Sequence, residues 1–173
     1  MTDSQINPSI NPSDRARWLA ADDATLLREC RIDLFVGTGR GGQKRNKTET
    51  AVRATHLPSG QIGTSDETRS QHTNKHLAVR ALRRQIALHC RVSPPIPYAG
   101  PWAPAPTNDE AYAGWLAAVL DQLEASGWQM ATAAVVFGQS TSGLIKALAR
   151  DPQVWQLIGA RRRDAGLPAL RFP

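Results

Sequence analysis

The stretch GTGRGGQKRNKTET, from Gly37 to Thr50, places four glycines within six positions, then a glutamine, then a basic and polar run. Gly37, Gly39 and Gly42 satisfy the G-x-G-x-x-G spacing that lets a backbone approach a dinucleotide pyrophosphate. That chemistry needs a helix with an apolar face next, and QKRNKTET supplies no apolar residue before Ala51. Gly37 and Gly42 also have the separation of a P-loop. There Gln43 stands where a lysine should reach the phosphates, and no Ser or Thr follows at the magnesium position. Both phosphate-cradle readings fail on context.

Other residues that could do chemistry are few. His72 and His76 lie at i, i+4 on the start of an expected helix, but no H-E-x-x-H context surrounds them, and no metal is expected. There is no G-x-S-x-G elbow and no evident Ser-His-acid arrangement. Cys30 and Cys90 are too few for a disulfide framework and lack metal-ligand spacing, so two buried thiols in a reducing compartment are expected.

Charge is distributed unevenly along the 173 residues. Residues 1–30 carry three basic and five acidic groups, net −2. Residues 31–92 carry twelve and four, net +8, whereas residues 93–173 carry six of each. The positive field therefore surrounds the glycine segment and favours a polyanionic partner. The polar N-terminus has no apolar h-region and no apolar run approaches a membrane span, so a cytoplasmic chain with no membrane partner is expected.

The elements that must position the glycine segment follow from periodicity. Residues 1–12, with two Asn-Pro steps, are expected to be disordered. Ser13–Glu29 reads as helix in one or two pieces, with Trp18, Leu19, Leu26 and Leu27 as its apolar points. Arg31–Val36 alternates as a strand, with Ile32, Leu34 and Val36 on one face; Ala51–Leu57 and Gln61–Ser65 read as a hairpin about Pro58-Ser59-Gly60. Arg69–Cys90 reads as a long helix with Leu77, Ala81, Leu82, Ile86 and Leu88 as its stripe and Lys75, Arg80, Arg83 and Arg84 largely off it. The six prolines of residues 93–106 mark a semi-rigid linker.

Beyond the linker, residues 107–173 read as all-helical. Thr107 and Glu110 form a capping-box signature for a helix to about Ser126, ended by Gly127. Met130–Phe137, Ser140–Ala149 and a last helix capped by Asp151-Pro152 follow, with Trp115, Trp128 and Trp155 expected in the core. The expected fold class is α+β: a domain over 13–92, with a short antiparallel sheet and a packed long helix, followed by a small helical domain over 107–173.

The segment GGQKRNKTETAVRATHLPSG, followed by TRSQHTNKHLAVRALR, resembles the catalytic GGQ domain of class I peptide chain release factors and their ribosome-rescue relatives. Four elements carry the resemblance in order and spacing: GGQ, N-K-T-E-x-A-V-R, T-H-x-P-x-G and R-S-Q-H-x-N-K. The resemblance covers roughly residues 22–91. The resemblance implies that the glycine loop enters the ribosomal peptidyl transferase centre, where water hydrolyses the ester joining peptide to P-site tRNA. Gly41, Gly42 and Gln43 would be the catalytic residues. The Gln43 backbone N–H would stabilise developing negative charge, and its side chain would admit water in preference to larger nucleophiles. Glycines at 41 and 42 can adopt the backbone angles this requires.

The same resemblance implies contact with large-subunit rRNA through Arg40, Lys44, Arg45, Asn46, Lys47, Arg69, Gln71, His72, Asn74, Lys75 and Arg80. It implies no cofactor, a monomer, and a glutamine methyltransferase as a further partner if Gln43 is methylated as in many relatives. Two features depart from the pattern. No codon-reading module is expected, so the reading is a codon-independent, rescue-type hydrolase; yet the Lys/Arg-rich tail of small rescue factors is missing, with Arg161–Arg163 falling on a helix. Arg40 also stands where many relatives have a small residue or proline. The rival readings are a ribosome- or RNA-binding protein without catalysis, and a regulator whose C-terminal ATAAVVFGQSTSGLIKAL acts as a helix-turn-helix.

Overall fold

The computed structural model describes residues 10–37, 49–100, 102, 106–107 and 111–173. The chain divides into two compact units, Met1–Cys90 and Arg91–Pro173.

In the first unit the order starts earlier than the Asn-Pro steps suggest. Asn11 caps α1 (Pro12–Ala20) by accepting from the Ser13 N–H, with proline at the first helical position where no N–H is required. Asp22 caps α2 (Asp23–Leu27) in the same way through Thr25. Three antiparallel strands follow in spatial order β1 (Cys30–Phe35), β2 (Ala51–His56) and β3 (Ile62–Ser65). The register pairs Phe35 with Ala51 and Val52 with Ser65. Alternation in β2 sends Val52, Ala54 and His56 to the buried side and Arg53 to solvent.

Helix α3 (Gln71–His89) packs across β2 and β3. Its closest approach is at Gly63, where a Cβ would run into the Ala78 carbonyl and stand 2.7 Å from the Leu82 Cα. The glycine is what lets the helix lie directly on the strand. Trp18, Leu26, Val52, Val79, Leu82 and Ile86 form the centre of this core. The helix is rotated about one residue from its expected stripe: Ala78 and Val79 are buried, whereas Leu77 and Ala81 are half-buried. Arg83, expected off the stripe, is buried; its guanidinium pairs with Asp23 and donates to the Ala21 carbonyl at 2.6 Å. Leu34 and Val36, expected to share a face with Ile32, stay 42% and 40% exposed because the helix covers β2 and β3 and not the β1 edge. Helix α1 closes the other end, with Arg15 donating to the Cys90 carbonyl at 2.9 Å.

The second unit is helical throughout its described elements: α4 (Ala111–Ala125), α5 (Met130–Val136), α6 (Thr141–Ala149) and α7 (Pro152–Asp164). Helix α4 buries residues on nearly every side, as expected of a helix enclosed by its neighbours. Asp121 on it pairs with Arg91 at 3.1 Å, both side chains buried. Asp151 caps α7 through the Gln153 and Val154 N–H groups and accepts from the Tyr112 hydroxyl. Val92, expected at the end of the first domain, is buried in this unit, and Trp102, from the stretch expected as linker, lies against Trp115 and Phe137. Trp115 and Trp128 are core residues, but Trp155 is half-buried. Among the described residues no helix is long and apolar enough to cross a membrane. The α+β class, a short sheet with a packed long helix beside a helical part, is as the sequence implied.

Candidate functional site

Arg40, Gly41, Gly42, Gln43, Lys44, Arg45, Asn46 and Lys47 lie outside the described residues. What the structure defines is the frame from which that segment leaves and to which it returns. The β1–β2 register closes at Phe35 and Ala51, so both stems sit at one end of the sheet.

Each stem meets the turn that precedes α3. On the outgoing side Gly37 is buried, and a Cβ there would stand 3.0 Å from the Asp66 Cβ and 3.1 Å from its Oδ2. On the returning side the Asn74 amide donates to the Thr50 carbonyl at 2.7 Å and to the Thr68 carbonyl at 2.8 Å. Its Oδ1 accepts from the Thr68 N–H at 2.9 Å. Asn74 is fully buried. Every polar atom of its side chain is therefore engaged within the protein, and it is not a surface contact for RNA. The reason is local: Ser70 caps α3 through the Thr73 N–H, and residue 74 then lies on the first turn, under the returning strand.

The other expected contacts of this helix sit differently. Arg69, Gln71, His72 and Lys75 are exposed around the entry to α3, beside the two stems. Arg80 is half-buried one turn further on. His72 and His76 rings meet edge to face at 4.7 Å, and His76 Nδ1 lies 2.7 Å from Asp23 Oδ2. Desolvation opposes ionisation of Asp23, but hydrogen bonds from His76 and Arg83 outweigh it and hold its pKa below the ordinary value. Among the described residues no group of three or more His, Cys, Asp or Glu could hold a metal ion.

His56, from the T-H-x-P-x-G segment, lies at the opposite end of β2 and is structural. Its Nδ1 is 2.7 Å from Ser59 Oγ in the hairpin turn, its ring meets Trp18 edge to face, and its Nε2 is 3.5 Å from Glu29. Burial lowers its pKa, so it is neutral near pH 7. Burial, and then the Glu29 charge, push the Cys30 thiol up to about 11, which leaves it protonated and a poor nucleophile. Neither residue offers protein-borne nucleophilic or base chemistry at the stems.

Sequence reasoning missed Asp66 and Thr68, which touch the frame through a turn whose residues look like ordinary loop polar groups. It also missed Arg53, whose guanidinium sits 5.2 Å above the Phe35 ring on the open side of the sheet. The alternation of β2, with a lone arginine between buried positions, was the available signal.

Residues 25–93 match the family described as RF-1 domain. Over 82 residues the chain is 48% identical to peptide chain release factor 1 of Carboxydothermus hydrogenoformans, a match covering 47% of this chain and 19% of that protein. It is 49% identical over 70 residues to peptide chain release factor 1 of Chlamydia trachomatis serovar L2, covering 39% and 20%. With the protein of the same name from Acidiphilium cryptum it shares 50% over 58 residues, covering 34% and 16%. The chain thus spans a fifth or less of the length of these relatives. Within that span they bear out the resemblance carried by the four segments.

Proposed function

From the match of residues 25–93 to the RF-1 domain family we propose that the protein hydrolyses the ester of peptidyl-tRNA in the ribosomal peptidyl transferase centre. In the finer reading it does so without a stop codon, in rescue of stalled ribosomes. The observation that carries the proposal is the frame around the glycine segment. Asp66 abuts the outgoing stem, and Asn74 holds the returning one from inside the R-S-Q-H-x-N-K element.

The chemistry follows from that frame. A segment with Gly41 and Gly42 at its centre can take the backbone shape that the RNA it enters requires. The Gln43 backbone N–H then points at the ribose oxygen on which charge develops as water attacks. A donor of this kind is worth roughly 2.7–4 kcal/mol in other hydrolases. The Gln43 side chain excludes nucleophiles larger than water. Arg40, Lys44, Arg45 and Lys47, with Arg69 and Lys75 around the stems, neutralise rRNA phosphates, and Gln71 and His72 position the RNA by hydrogen bonding. Arg80 extends that surface along α3, and Asn46 belongs to the same segment. The release-factor name of the relatives supports a role in translation termination, on the ribosome and in the cytoplasm. No cofactor enters the scheme. A methyltransferase acting on Gln43 and a monomeric state belong to the same reading, as does a division into a GGQ domain over 13–92 and a helical domain over 107–173.

The test is peptide release from ribosomes carrying P-site peptidyl-tRNA, with and without mRNA in the A site. Release without a stop codon, abolished by Gly42→Ala and reduced by Gln43→Ala, is the expected result. Ribosome binding without release, in the presence of cell extract, would remove the hydrolase reading.

A further inference from the structure

Helix α7 contains a glycine that its own geometry does not require. Gly159 lies in the helix interior, where glycine weakens a helix, and a Cβ placed there would meet nothing within 4 Å. Its consequence is space. Gly159 lines a cavity of about 320 Å³ together with Trp155, Gln156, Arg162, Arg163 and Leu170.

The far wall is built by the C-terminal segment. Gly166, at φ +69°, ends α7, and the Leu167 N–H returns to the Arg162 carbonyl at 2.8 Å. Arg162 is more than nine-tenths buried; it donates to the Trp128 carbonyl and, at 2.9 Å, to the Pro168 carbonyl, which ties the segment back onto the helix. Its Nε has no hydrogen-bond partner. Phe172 then meets Trp155 in a T-shaped contact, ring centroids 5.6 Å apart.

The charge around this site is not what the neutral total of residues 93–173 implies. Asp121 and Asp151 are 1% exposed and taken up by internal partners. Among the described residues of this unit the exposed charged side chains are Lys146, Arg150, Arg163 and Arg171 against Asp164. Among these described residues the exposed charge is mostly cationic, and Arg163 lines the cavity while Arg171 follows Leu170 of its wall.

We propose that this cavity in the second unit takes an unstacked base of single-stranded RNA, with Trp155 as the aromatic platform and Arg163 and Arg171 on the flanking phosphates. Its volume falls at the small end of ligand pockets, about 300–1,000 Å³, which suits one planar group and not a chain segment. A half-buried indole supplies stacking that any base can use. Gln156 presents both a donor and an acceptor to a base edge. More than one arginine beside a single small cavity is what a polyanion requires and a lone carboxylate does not. The proposal does not rest on hydrolysis by the first unit.

Because the first unit is itself basic, the readout must resolve the site. The full chain, with its tryptophan indoles labelled by ¹⁵N, is titrated with a single-stranded hexauridylate RNA, and the Trp155 signal is assigned through Trp155→Phe. The expected result is a saturable shift of the Trp155 indole while the buried Trp115 indole stays in place. Gly159→Leu fills the cavity and favours the helix; it should weaken that shift at least tenfold with the other indoles unmoved. Arg163→Glu with Arg171→Glu should flatten the salt dependence of the same shift. The absence of a Trp155 shift, or an undiminished shift in Gly159→Leu, overturns the proposal. So does an equal shift with hexaglutamate, which would make the site one for acidic peptides.

Discussion

The Asn74 side-chain amide donates to the Thr50 carbonyl across 2.7 Å, tying the first turn of α3 to the point where the chain re-enters the sheet. The same amide holds the Thr68 carbonyl, so one residue joins a helix, a strand stem and a turn.

Asn74→Ala would remove the Asn74 partner of two carbonyls and one N–H at a part-buried site. A destabilisation of about 2–4 kcal/mol is expected, each orphaned group costing about 1–3 kcal/mol before relaxation. Asn74→Asp keeps the acceptor and loses both donors, and should also destabilise. Urea unfolding measures both; an Asn74→Ala chain as stable as the parent would return the residue to the RNA surface.

His56 makes stability depend on pH. Burial lowers its folded pKa below the ordinary 6.5, so the unfolded chain takes up the proton first on acidification. The contribution is fully present above about pH 6.5, is lost as pH falls through that value toward the folded pKa, and does not decline further below it. Glu29 acts lower: the hydrogen bond from Arg17 depresses its pKa below the ordinary 4.5, and its contribution disappears as pH falls through the carboxylate range. His56→Gln should be less stable at pH 8 but should lose the slope just below pH 6.5. A slope unchanged in that variant would assign it to the other histidines.

Arg83 and Lys75 should separate folding from binding. Arg83 is buried against Asp23, and removing one partner of such a pair costs about 3–5 kcal/mol. Arg83→Ala is expected near the lower end, since Asp23 keeps some solvent contact. Lys75→Ala, on an exposed position, should change stability by no more than about 0.5 kcal/mol. It should instead lower the salt slope of ribosome binding by about 1. Thermal unfolding and filter binding over a salt series read the two effects, and the reverse pattern would contradict the placement of both residues.

Periodicity made the elements legible. Alternation marked β1, the Pro58-Ser59-Gly60 turn marked the β2–β3 hairpin, an apolar stripe marked α3, and the order of four short segments marked the domain. It failed where one residue type has two physical uses. An arginine on a helix reads as solvated, yet Arg83 reaches back to a carboxylate 60 positions earlier. A glycine in a short strand reads as a weak strand former, yet Gly63 sets the distance between helix and sheet. Asn74 reads as polar surface because nothing local announces that Thr50 will lie above it. The cavity beside Gly159 depends on where a C-terminal segment folds back, and no pattern in α7 encodes that.

Helix α1 precedes the matched residues 25–93 altogether, yet its tryptophan and first arginine reach into them. Trp18 donates to Glu29 at 3.0 Å and meets His56 edge to face, while Arg15 holds the carbonyl that follows α3. The boundary drawn by kinship and the boundary drawn by packing therefore differ by more than a dozen residues. A fragment trimmed to the inherited limits would uncover a buried histidine and strip a carboxylate of two of its donors. The packed unit is longer than the 25–93 span that the family match records.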